Sequence, residues 1–156
     1  MSAVDRQLLL TFWTEGQGGA NIENPPWAII EEQIEKVFES GGNVELSAVR
    51  RVFEPHESLL MLETMSMLAE PGRFRLVVTP QRIAGQRKSN LRQWWEEGDT
   101  AFRGLERLRG HDWDSRTVCV DVGIAKWFLE EFFEHRGVTK AIRDRTSSVW
   151  DAKPGT

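Results

Sequence analysis

The stretch from Trp13 to Gly42, WTEGQGGANIENPPWAIIEEQIEKVFESGG, constrains the fold more than any other. Residues Arg6–Thr14 before and into it are largely apolar (Leu8, Leu9, Leu10, Phe12, Trp13) and predict a first strand. Glu15–Glu23, with Gly16, Gly18 and Gly19, reads as a loop. A helix follows. Asn24 is placed to cap it, and Pro25 and Pro26 occupy a first turn where a missing N–H costs nothing. Trp27, Ile30, Ile34, Val37 and Phe38 recur at helical spacing, opposite Glu31, Glu32, Glu35, Lys36 and Glu39. Gly41 supplies the left-handed stop.

The rest of the chain is richer in strand signals. Asn43–Phe53 alternates, and so does Leu59–Leu68, with Leu59, Met61 and Met65 on one face. Glu70-Pro71-Gly72 then turns the chain into FRLVVTP, so Leu59–Pro80 reads as a hairpin. Gln81–Asn90 is polar and basic, with Arg82, Arg87 and Lys88, and is expected to be an exposed loop. Leu91–Glu97 reads as a short strand. Gly98–Asp114 allows a short helix through Phe102, Leu105 and Leu108, interrupted by Gly104 and Gly110. Arg116–Val122 is β-branched and predicts a strand with Val118, Val120 and Val122 on one face and Cys119 opposite. Gly123–Arg136 is a second amphipathic helix, built on Ile124, Phe128, Leu129 and Phe132, with Gly137 at its end. The predicted order is β-α-β-β-β-(β)-β-α. This is an α+β fold: a mainly antiparallel sheet of five to six strands with two main helices packed against it. Residues 1–137 form one domain, and 138–156 form a C-terminal tail that docks through Trp150 if it docks at all.

Composition excludes several classes. The chain has 156 residues, 40% of them hydrophobic, which suits one globular domain and not a disordered chain. A net charge of −4 argues against general nucleic-acid binding. The apolar run at Leu8–Phe12 is too short for a membrane span and lacks the basic start and cleavage site of a signal peptide. With Cys119 as the sole cysteine no intrachain disulfide forms, and a cytoplasmic location is the natural expectation.

Chemistry is hard to find. The GQGG loop at Gly16–Gly19 precedes a helix, but Pro25 and Pro26 remove the N–H groups that a phosphate needs there. No Walker lysine, GxSxG, HExxH or CxxC is present. Cys119 lies among valines and reads as a buried, unreactive thiol. His111, Asp112 and Asp114 form the one polar cluster that a small pocket would use. His56 and His135 lie elsewhere in the sequence, so a full metal-ligand set is missing and no metal or cofactor is expected.

Seven tryptophans and no tyrosine shift attention to binding. In a strand, Trp94 and Trp95 point to opposite faces, so either both faces are covered or one ring is left for a partner. With Glu96, Glu97 and Asp99 beside them, they make a candidate aromatic anchor with an acidic rim, suited to a basic protein partner.

The chain's size, its opening strand–loop–PPW–helix at Pro25–Trp27, the hairpin, the tryptophan content and the missing catalytic motifs resemble the small single-domain immunity proteins of bacterial polymorphic toxin systems. The resemblance is architectural and spans about Arg6–Gly137. It implies a protein that neutralises a cognate toxin by binding it, with no residue roles carried over. The alternatives are a small enzyme or ligand-binding domain using His111, Asp112 and Asp114, and a structural subunit that assembles through Trp127, Phe133 and the tail, with itself or with others.

Overall fold

A computed structural model describes residues 5–80, 90–98 and 100–148. In chain order the elements are β1 (Gln7–Thr14), β2 (Gly18–Glu23), α1 (Trp27–Ser40), β3 (Gly42–Val52), β4 (Ser58–Glu70), β5 (Arg73–Thr79), β6 (Arg92–Trp94), β7 (Leu105–Leu108), β8 (His111–Asp114), a 3-10 turn (Ser115–Thr117), α2 (Val122–His135), α3 (Lys140–Asp144) and β9 (Thr146–Ser148). Seven strands make one sheet in the order β2-β1-β3-β4-β5-β6-β9, every neighbouring pair antiparallel. β7 and β8 form a separate hairpin. The fold is α+β, as the sequence predicts, with a wider sheet than expected.

Directly paired residues share a face, so the register builds apolar rows across the sheet. Leu10, Leu46, Met65 and Val78 form one row, and Phe12, Val44, Met67 and Leu76 the next. Ile30, Ile34 and Val37 of α1 and Phe128, Leu129 and Phe132 of α2 close over them, all fully buried. The turn from α1 into β3 depends on two glycines. Gly41 ends the helix at φ 88°, its N–H donating to Val37 O at 2.8 Å. A Cβ on Gly42 would lie 2.0 Å from Trp13 O, so only glycine lets β3 approach β1 there.

Several expectations are corrected. Glu15–Glu23 is not all loop, since Gly18–Glu23 is the edge strand β2, paired to Leu9–Thr14. Asn24 is not the cap of α1; it sits at φ 48° with Oδ1 accepting from Leu8 N at 3.2 Å, and Pro26 holds the cap position without a side-chain bond. Met61 does not share the buried face with Met65, because the register of β3 and β4 slips between Ala48 and Val49, and Met61 is 56% exposed. The short helix expected in Gly98–Asp114 is the β7–β8 hairpin. Its two-residue turn, Arg109-Gly110, has both residues at positive φ (54° and 82°), the geometry that matches strand twist.

The strand expected at Arg116–Val122 is replaced by the 3-10 turn, a single bridge between Phe74 and Cys119, and the start of α2. Asp121 accepts from Gly123 N at 2.9 Å and so caps that helix, local chemistry that outweighs the β-propensity of the valines. Cys119 faces inward and Val120 is 70% exposed.

The tail boundary also moves. Beyond Gly137, Thr139 caps α3 by accepting from Ile142 N at 3.2 Å, and β9 pairs with β6. The sheet therefore includes residues as late as Ser148, while Trp150 lies outside the described residues. So do Arg82, Arg87 and Lys88 of the basic loop. Among the described residues no helix is long and apolar enough to cross a membrane.

Candidate functional site

Trp94 and Trp95 are both buried. Trp94 ends β6 on the helix-covered face and belongs to the core. Trp95 lies one residue past the strand, under the guanidinium of Arg116, whose carbon is 5.3 Å from the ring centre. Of the two arrangements left open by the alternation, the covered one is found: helices on one side, the loop structure before α2 on the other. The acidic residues beside them meet arginines of the same chain. Glu96 holds Arg103 through both carboxylate oxygens, and that hydrogen bonding keeps its carboxyl below the usual range. Glu97 pairs with Arg145 at 2.9 Å. Asp99 lies outside the described residues. The exposed aromatic anchor anticipated here is therefore not formed by either tryptophan.

His111, Asp112 and Asp114 share β8 but do not converge. His111 is exposed, beside the Trp113 ring at 6.0 Å. Asp112 faces Arg107 across the hairpin at 3.7 Å. Asp114 is taken up by Arg116, accepting from Nε at 2.9 Å and Nη2 at 2.6 Å. None of the three lines the clefts at the start of α2, beside Pro25, beside Arg145 or beside Trp13.

One cleft, of about 420 Å³, lies between the end of β6, β7 and the start of α2. Trp94, Glu96, Arg103, Cys119, Asp121 and Ile124 line it. Its acids are already committed, Glu96 to Arg103, Glu106 to Arg73 and Asp121 to the helix cap. Burial pushes the Cys119 thiol up to about 11, so it is a neutral thiol at physiological pH. Ser115 also lines the cleft, and its Oγ is buried without a hydrogen-bond partner among the described residues. Elsewhere, Glu131, Glu134 and His135 bring ligand atoms within 4.8 Å of one another at the end of α2. Glu131 there already accepts from Thr139 Oγ1 at 3.0 Å.

The sequence reading missed the far end of the β3–β4 hairpin. Phe53, Leu60 and Met61 are 66%, 43% and 56% exposed. Pairing continues there, with Arg50 opposite Leu60 and Val49 opposite Met61, so these side chains stand on ordered strands or at their edge. Arg51 ties this end to Glu23 at 2.6 Å and Glu57 at 2.7 Å. A signal was present: Leu59-Leu60-Met61-Leu62 is a continuous apolar run where a one-sided strand should alternate.

No protein-family model matches the chain, and no curated protein matches it. Among solved structures it is similar to that of a hypothetical protein from Neisseria gonorrhoeae. The TM-score is 0.61 at 8% identity, over 90% of this chain and 95% of that one. This likeness concerns the fold alone.

Proposed function

We propose that the protein is a non-enzymatic protein-binding module of the immunity type, which neutralises a cognate bacterial toxin by direct binding. The observation that carries this reading is the exposed apolar end of the β3–β4 hairpin, Phe53, Leu60 and Met61. Exposed apolar side chains at the end of an ordered hairpin, Met61 on one face and its neighbour Leu60 on the other, favour contact with another protein. The commitment of Asp114 and Glu96 to arginines, and of Cys119 to a neutral buried thiol, supports binding over catalysis. The partner surface thus moves from the Trp94–Asp99 segment to the hairpin end.

The test is purification of the tagged protein from its native host with its stoichiometric partner, followed by titration of that partner against Phe53→Ser and Met61→Ser. Each substitution is expected to weaken binding at least about tenfold with the unfolding midpoint unchanged, as truncation of a central apolar anchor does. Unaltered affinity in both would remove the hairpin from the interface. A partner without toxic activity would remove the immunity reading and leave the binding one.

A further inference from the structure

Among the described residues, Arg75 is a buried cation without a counter-ion. It projects from β5 on the sheet face away from α1 and α2, since its neighbours Phe74 and Leu76 enter the helix-covered core. Only 4% of it is exposed. Trp113 of the β7–β8 hairpin covers the flat of the guanidinium, ring centre to carbon 3.6 Å. Its one side-chain hydrogen bond runs from Nη2 to the Gln93 amide oxygen, and Nε has no acceptor. The other charged groups near it are engaged elsewhere: Arg73 bonds Glu70 and Glu106, and Asp114 bonds Arg116. Burial, with no carboxylate to offset it, lowers the Arg75 pKa to about 10.

A desolvated arginine normally meets a carboxylate, because a buried charge left unpaired is strongly destabilising. Nε–H and Nη2–H point the same way along one edge of the guanidinium, the fork that an oxyanion accepts with two oxygens. Gln93 offers that edge a single neutral oxygen. The hairpin above is attached by the buried side chain of Leu108, by Arg73 to Glu106 at 2.6 Å, by Arg109 N to Glu70 at 2.7 Å and by the Arg109 guanidinium 5.9 Å from the Trp13 ring centre. It is not part of the main sheet, so its displacement would leave the sheet pairing intact, at the cost of uncovering Leu108.

We propose that the Nε–Nη2 edge of Arg75 is a binding site for a small oxyanion, a carboxylate or a phosphate, admitted by displacement of the β7–β8 hairpin and completed by Gln93. The site is independent of the hairpin end assigned to protein binding.

The test is thermal unfolding in sodium phosphate and in sodium acetate, each against sodium chloride at the same pH and ionic strength. A ligand that binds only the folded state raises the midpoint with its concentration. The wild type is expected to rise by a few degrees in at least one of the two, and the arm that responds identifies the chemistry. Arg75→Met should show no rise beyond that in chloride. Where Arg75→Met does not fold, Arg75→Lys keeps the charge without the two-donor edge and should be equally unresponsive. Gln93→Glu places a carboxylate on the same edge; it should raise the midpoint in chloride and abolish the response. No rise in the wild type in either salt, or an equal rise in the Arg75 variants, overturns the proposal.

Discussion

Asp114 holds Arg116 through both carboxylate oxygens, and Arg116 is 2% exposed, with Trp95 and Phe102 around its guanidinium. The same carboxylate accepts from Arg116 N at 3.0 Å and so caps the 3-10 turn that leads into α2. A residue that reads from sequence as a candidate pocket acid is in the structure the anchor of a loop.

The first prediction follows from that pairing. Hydrogen bonding to the Arg116 side chain holds the Asp114 carboxyl below the usual carboxylate range, so the folded state binds its proton less readily than the unfolded chain does. The stabilisation is present above the ordinary carboxylate pKa of about 4 and is lost as pH falls through the lower folded value. Asp114→Asn should lower the urea midpoint clearly at neutral pH, and the gap to wild type should close in acid. Urea unfolding across pH checks this. A gap of the same size in acid would mean that the amide's shape, not the lost charge, causes the loss.

Cys119 gives a second prediction. Its thiol lies 2% exposed against the core and is pushed up to about 11 by burial, with Sγ 3.7 Å from Asp121 O. Iodoacetamide should leave the native protein unlabelled near neutral pH and label it fully in denaturant, since the thiolate is the reacting form. Rapid native labelling would show that the cleft before α2 opens readily.

Legibility in the sequence followed the strength of local chemistry. The PPW start and glycine stop of α1, and the Pro71-Gly72 turn of the β4–β5 hairpin, are short-range signals that fix short-range structure, and both were readable. β2 was hidden by its glycines, because an edge strand needs few packing side chains. Arg109-Gly110 between LERL and HDWD was a readable hairpin turn, overridden in the sequence reading by the helical spacing of Phe102, Leu105 and Leu108. Thr117–Val120 has strand composition, yet caps at Asp114 and Asp121 fix a turn and a helix around it. The site was less legible still. The covering of both tryptophans and the pairing of Glu96, Glu97 and Asp114 with arginines are decided by contacts between distant segments, which periodicity does not report. Arg75 gave no signal at all, because an arginine in a strand of alternating polarity reads as solvated until a hairpin from elsewhere lands on it.

A third prediction concerns Gly137. Arg6 pairs with Glu63, which is 6% exposed, and a Cβ on Gly137 would lie 2.5 Å from Arg6 Nη1 and 2.6 Å from Glu63 Oε1. Gly137→Ala should push the two flexible side-chain ends aside and loosen the pair, at the low end of the overpacking range, about 1 kcal/mol. In a Glu63→Gln background the two losses should not add, because the alanine would displace a contact already weakened. Additive losses by urea unfolding would mean that the cost at Gly137 arises elsewhere.

The last prediction tests the largest departure from the sequence reading, which ended the domain at Gly137. Ile142 lies five residues beyond that boundary and is fully buried in the core with Phe128 and Leu129. The segment is tied down at both sides of it. Thr139 caps α3, and Thr146 Oγ1 accepts from Arg92 Nε at 2.9 Å while donating to Ile142 O at 3.0 Å. Arg92 Nη2 donates further to Thr146 O at 2.6 Å. β9 then covers the edge of β6, which otherwise presents unpaired backbone. In a mobile tail, Ile142→Ala would change stability by no more than a few tenths of a kcal/mol. In the core it should cost about 2–5 kcal/mol, the span for removing a large buried aliphatic side chain. A chain truncated after Val138 should lose more than this variant does, since it loses the β6 edge pairing as well, and it should aggregate through the uncovered strand. Urea unfolding of Ile142→Ala and light scattering of the truncated chain separate the two contributions. A neutral Ile142→Ala with a soluble, fully stable truncation would return the domain boundary to Gly137.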